Sequence, residues 1–168
     1  MKYLLVIDMQ NDFVDGVLGT KEAQAIVPYV REKIKQRRKE GYRVIFTRDT
    51  HFDNYSETQE GKRLPFPHCI HKTNGWQIVD GLTQANDEII NKFSFGYYDW
   101  PRELKNIDEI ELIGLCTDIC VVSNALILKA DFPEVPIKVD PKACAGVTVE
   151  SHNAALLTMK MCQIEVEE

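Results

Sequence analysis

The segment Tyr3-Leu4-Leu5-Val6-Ile7 is apolar without interruption, rich in β-formers, and breaks on a carboxylate at Asp8. A strand with no polar face must be covered on both sides, which is the situation of a strand in a parallel sheet sandwiched between helices. This run alone predicts a layered α/β fold. The rest of the chain has to supply the covering helices and the neighbouring strands.

It does so in alternation. Residues Glu22 to Glu40 place Ile26, Val27, Val30 and Ile34 at helical spacing, close on a Lys/Arg-rich turn and meet Gly41, so a helix with dipole-compatible charge and a stop signal is expected. Arg43–Thr47, Glu88–Lys92, Glu109–Leu115, Ile137–Val139 and Gln163–Val166 read as the second to sixth strands. Asp118 to Ala130 is apolar nearly all round and reads as a buried helix; Ser151 to Cys162, entered through Thr148, reads as another. Hairpin signals, internal repeats, low-complexity tracts and linkers are missing, so the expectation is one doubly wound α/β domain over residues 1–168 with a mostly parallel six-stranded sheet.

Composition excludes several classes of function. With 44% hydrophobic and 27% charged residues the chain is that of a folded domain. A net charge of -6 without a Lys/Arg block argues against a nucleic-acid partner. No apolar run approaches the roughly 20 residues needed to cross a bilayer, and the first residues lack the pattern of a cleavable leader, so a cytoplasmic, membrane-free protein is expected. The five cysteines are an odd number, and Cys116 and Cys120 are not spaced as a C-x-x-C pair, so each thiol is read in its own setting.

In an open parallel sheet, ligands bind beyond the carboxyl ends of the strands. The residues there are Asp8, then Asp49 and His51, then Lys92, then Cys116 to Cys120. Cys120 would fall in the first turn of a helix, where free amides and the helix dipole favour a thiolate and bind an oxyanion; an inert buried thiol is the alternative. Lys92 beside such a thiol would hold it ionised, unless it is a solvated lysine at a loop entrance. Asp8 could shuttle a proton, or merely brace the turn at Asn11-Asp12. The polar stretch from His51 to Trp76 is too long for an idle connection. His71 and His152 read as surface or hydrogen-bonding residues.

Leu4-Leu5-Val6-Ile7-Asp8-Met9-Gln10-Asn11-Asp12-Phe13, together with Lys92 and Gly114-Leu115-Cys116-Thr117-Asp118-Ile119-Cys120-Val121, resembles the isochorismatase-like cysteine hydrolases, nicotinamidases among them. The resemblance implies a three-layer α/β/α sandwich and a catalytic triad of Asp8, Lys92 and Cys120. It further implies an oxyanion hole from the amides of Cys116 and Cys120 and a cis peptide at Leu115-Cys116. Asp49, His51 and His68, with Glu60 as a fourth ligand and Glu57 behind it, would hold a divalent metal, zinc first, with iron or manganese as alternatives. Phe13, Phe66 and Tyr97, or Tyr98, would contact a planar substrate. The implied reaction is hydrolysis of nicotinamide to nicotinate and ammonia through a thioester, in a homodimer or tetramer acting on a small-molecule amide. A carbamoyl or ureido substrate and a non-catalytic member are the alternatives.

Overall fold

The computed structural model describes residues 1–167. The elements in chain order are β1 (Lys2–Ile7), α1 (Asn11–Val14), α2 (Lys21–Lys39), β2 (Arg43–Asp49), a 3-10 turn (Tyr55–Glu57), α3 (Gln59–Arg63), β3 (Glu88–Lys92), α4 (Trp100–Glu103), β4 (Glu109–Leu115), a π-helical turn (Thr117–Val121), α5 (Val122–Asp131), β5 (Ile137–Ala145), α6 (Val149–Met161) and β6 (Glu165–Val166). The strands form one sheet in the order β3-β2-β1-β4-β5-β6, with all five pairings parallel.

The apolar run of β1 is buried on both faces, as its composition demands. Leu4 and Val6 point to one core with Val44, Phe46 and Ile113, which α2 covers through Val30 and Ile34. Tyr3, Leu5 and Ile7 point to the other with Ile45 and Leu112, covered by Ala125 and Leu128 of α5 and Met159 of α6. This period-2 split of one strand between two helical layers is the α/β/α sandwich. Among the described residues no helix is long and apolar enough to cross a membrane.

Three elements differ from the sequence reading, for physical reasons. β5 runs on to Ala145 although Asp140-Pro141 resembles a strand end. Asp140 is buried and ion-paired to Lys33 of α2 at 2.8 Å, and the β4–β5 register shifts between Leu112 and Gly114, an irregularity of the kind that admits a proline. The expected helix from Asp118 opens instead as the π turn and only then becomes α5. The long polar stretch contains the 3-10 turn and α3, the latter capped by the Thr58 hydroxyl, which accepts from the Gly61 amide at 3.0 Å.

Strand order reverses between β1 and β4, the point where an open α/β sheet leaves a crevice. Gly114 sits at this switch with φ +120, and a Cβ there would collide with the Ile7 carbonyl oxygen. Glycine thus lets the ends of β1 and β4 close up, and those ends carry Asp8 and the Cys116–Cys120 turn.

Candidate active site and metal centre

Three side chains from three strand ends meet in the crevice. Lys92 Nζ lies 2.6 Å from Asp8 Oδ2 and 3.5 Å from Cys120 Sγ, and it also donates to the Ser94 carbonyl at 3.2 Å. All three residues are buried. Lys92 is therefore not a solvated loop lysine. Nor does Asp8 brace the following turn: the Thr47 hydroxyl of β2 donates to Asp8 Oδ1 at 2.6 Å and accepts from the Asp8 amide at 3.1 Å. Asp8 Oδ2 pairs with the Lys92 ammonium, and the carboxyl also lies within hydrogen-bonding reach of the Cys120 thiol, where it can receive a proton.

Burial governs the electrostatics of this trio. It pushes the Cys120 thiol well above its ordinary range and outweighs the pull of the Lys92 ammonium. Burial likewise raises the Asp8 carboxyl against the opposing effect of Lys92. For Lys92 itself burial works against the charge, but Asp8, Cys120 and Asp49 together raise its pKa. A helix start and a nearby ammonium favour a thiolate, but burial here outweighs them and raises the thiol, beside a carboxylate that burial also makes more basic.

Beside the trio lies a cluster of two imidazoles and two carboxylates. Asp49 Oδ2 is 2.9 Å from His51 Nε2 and 3.7 Å from His68 Nε2, and Glu60 Oε1 is 3.6 Å from both of those nitrogens. Ligand atoms about 2.1 Å from a tetrahedral ion stand about 3.4 Å apart, so this set fits a zinc-sized divalent cation with little rearrangement. His68 Nδ1 hydrogen-bonds the Phe66 carbonyl at 2.8 Å, which fixes the tautomer that turns Nε2 to the cluster. Gln10 secures Asp49: its Oε1 accepts from the Asp49 amide at 2.7 Å, and its Nε2 donates to the Asp49 and Trp76 carbonyls at 2.9 Å. Burial raises the Asp49 carboxyl, but hydrogen bonds from His51 and His68 and the Lys92 charge carry it below the usual carboxylate range. Glu57 is not part of the cluster.

Cys120 of the trio and Asp49, Glu60 and His68 of the cluster line one cavity of about 630 Å³, walled by Phe13, Leu18, Leu64, Phe93, Phe95 and Ile119. An apolar pocket with a few convergent polar groups at its base suits a small planar molecule with one reactive polar substituent.

The whole sequence agrees with that geometry. Residues 2–167 match the family profile described as Isochorismatase domain. The chain belongs to the isochorismatase family. It is 27% identical to a nicotinamidase/pyrazinamidase of Mycobacterium tuberculosis, with 99% of this chain and 98% of that one covered. It is also 31% identical to a probable inactive nicotinamidase of Arabidopsis thaliana, covering 94% and 87% respectively. Among solved structures, the pyrazinamidase of Pyrococcus horikoshii in complex with zinc superposes with a TM-score of 0.88 at 26% identity, covering 99% of this chain and 98% of that one.

Two aromatic residues expected to contact a substrate in this isochorismatase-family pocket do not reach it. Phe66 is 51% exposed and lies outside the cavity wall; its carbonyl, not its ring, serves the site, by binding His68. Tyr97 packs edge-on against Trp100 at 5.1 Å and bonds Glu103 through its hydroxyl at 3.1 Å, while Tyr98 is 83% exposed. Phe13 does line the cavity, and so do Phe93 and Phe95, which the sequence reading passed over. Their position directly after Lys92 was the available signal. Asn124 was also missed. Fully buried, it donates to the carbonyls of Cys120 (2.8 Å) and Phe95 (3.1 Å) and accepts from the Tyr97 amide (2.8 Å) and Trp100 Nε1 (3.0 Å). One amide thereby joins the Cys120 turn to the Phe93–Phe95 wall. The Leu115–Cys116 peptide is cis, and all five cysteines are free.

Proposed function

We propose that this protein is a metal-dependent cysteine amidohydrolase that converts nicotinamide to nicotinate and ammonia. The reading rests on one observation above all: Lys92 Nζ contacts both Asp8 and Cys120, and Cys120 lines the same cavity as Asp49, Glu60 and His68 of the metal-binding cluster. The names of the relatives, and the zinc in the Pyrococcus structure, support it.

The carbonyl carbon of the amide sits over Cys120, with the ring against Phe13. Asp8 Oδ2 takes the thiol proton as sulfur attacks, so the raised basicity of the carboxylate matches a raised thiol. Lys92 remains charged throughout and offsets whichever of the two partners is anionic. The amides of Cys116 and Cys120 receive the oxyanion of the tetrahedral intermediate. Asp8 then returns its proton to the departing ammonia, leaving a thioester on Cys120. Water, deprotonated by the same carboxylate, attacks the thioester; the C–S bond breaks, the acid is released, and Asp8 returns the proton to the Cys120 sulfur. Asp49, His51, Glu60 and His68 would hold the divalent ion, which supplies a Lewis-acidic position able to bind and orient a pyridine nitrogen.

Zinc-supplemented protein is expected to release ammonia from nicotinamide, and Cys120→Ala to release none. Release from an N-carbamoyl compound but not from nicotinamide would overturn the substrate and keep the chemistry. No release from any amide, with zinc bound, would make the chain a non-catalytic member of its family.

A further inference from the structure

Thr117 opens the turn that carries Cys120, and it is fully buried. Its hydroxyl is hydrogen-bonded at 2.7 Å to Nδ1 of His152, one turn into α6, and has no other side-chain partner among the described residues. The imidazole is fixed from its own side too, because the His152 amide bonds the Thr148 carbonyl at 3.0 Å within a helix start closed by a Thr148–Ser151 capping box. Gly146 makes the approach possible: a Cβ there would come to 2.8 Å from the His152 Cβ and 3.0 Å from its backbone. The next residue of the turn is tied to the same connection, since Asp118 accepts from the Val147 amide at 3.2 Å through either carboxylate oxygen. The Cys116 carbonyl, just before Thr117, accepts from the amides of Ile119 (3.1 Å) and Val121 (3.0 Å), so Cys116 and Thr117 move as one with the turn.

We propose that His152 is a positioning residue for the oxyanion hole, acting through the Thr117 hydroxyl to hold the Cys116–Cys120 turn with its amides aimed at the reacting carbonyl. The inference rests on the reading above of those amides as oxyanion donors. His152 touches no substrate. Donors of this kind act on charge that develops only in the transition state, so loosening them lowers kcat and leaves KM nearly unchanged. A substitution that merely unfolds part of the protein also lowers the apparent kcat at constant KM, so kcat is taken per folded molecule, with the folded fraction fixed by thermal unfolding of each variant. An asparagine at 152 presents a polar atom where Nδ1 stands and can bond the same hydroxyl; alanine cannot, and leaves the buried hydroxyl unpaired.

The experiment compares wild type, His152→Ala, His152→Asn, Thr117→Val and the Ala/Val double variant, each loaded with zinc, by steady-state ammonia release from nicotinamide and by the rate of Cys120 carbamidomethylation with iodoacetamide. The expected result is a kcat about tenfold lower in His152→Ala with KM within twofold, recovery of most of the loss in His152→Asn, and a double variant no worse than either single one. An unchanged kcat in His152→Ala, an effect confined to KM, or His152→Asn as poor as alanine would overturn it. If the wild type hydrolyses no amide, the proposed function fails separately, and alkylation alone decides the clamp. A changed Cys120 rate in His152→Ala, restored in His152→Asn, supports the clamp; equal rates in all three overturn it.

Discussion

At Lys92 the chemistry and the stability of this protein meet in one side chain. Its ammonium is buried between Asp8 and Cys120, and removing one partner of a buried pair leaves the other charge uncompensated. Lys92→Met is therefore expected to lower stability by about 3 kcal/mol and to abolish amide hydrolysis. Urea unfolding and initial rates measure both, and an active variant of wild-type stability would contradict the arrangement. His152 gives a pH prediction. Burial pushes its pKa below the ordinary 6.5, with Asp118 partly opposing. As pH falls through 6.5 the unfolded chain takes up the proton first, so the stability from this group is complete above 6.5 and is lost towards the depressed folded value. The difference in unfolding free energy between wild type and His152→Asn should accordingly shrink on going from pH 7.5 to pH 5; a difference that grows would reverse the sign.

Among the elements, the pair β1 and β4 decides where the site lies. Their ends approach closely because Gly114 has φ +120 and no Cβ to meet the Ile7 carbonyl. Gly114→Ala combines backbone strain with a steric clash against main chain, and is expected to cost roughly 2–4 kcal/mol and to impair activity more than a peripheral substitution of equal cost. Thermal unfolding together with kcat tests this, since the displaced strand end is the one that leads into the Cys120 turn. On the opposite face, α2 is locked to the sheet by Lys33, whose Nζ lies 2.8 Å from Glu111 and Asp140 and 2.9 Å from Glu167. Arg37 and Lys138 also pair with members of that acidic group, so the three carboxylates belong to an ion-pair network.

For the molecule as a whole, a metal held by residues from β2, α3 and the His68 loop would bind the folded state and not the unfolded one. Added zinc should raise the melting temperature with the logarithm of its free concentration once the site is saturated, chelation should reverse the rise, and Glu60→Gln should need more zinc for the same shift. A melting curve indifferent to zinc would remove the metal from the proposal. The layered architecture, the parallel strands and the strand-end positions of Asp8, Lys92 and Cys120 were legible in the sequence, because the burial of a strand is written in its own periodicity and in where that periodicity stops. What lay beyond it depended on distant partners. Asp140-Pro141 reads locally as an end, yet Lys33 of α2 keeps β5 going. Phe66 and Tyr97 are aromatic near the site, yet loop backbones with no repeat turn one outward and pack the other on Trp100. The helix start of Cys120 does not set the direction of its shift either, since the fold buries the thiol and desolvation exceeds the local field. Local sequence determined which segments pair and where chemistry could gather; only the packed chain decided which side chains point inward and what charge they carry, because both depend on groups far apart along the polymer.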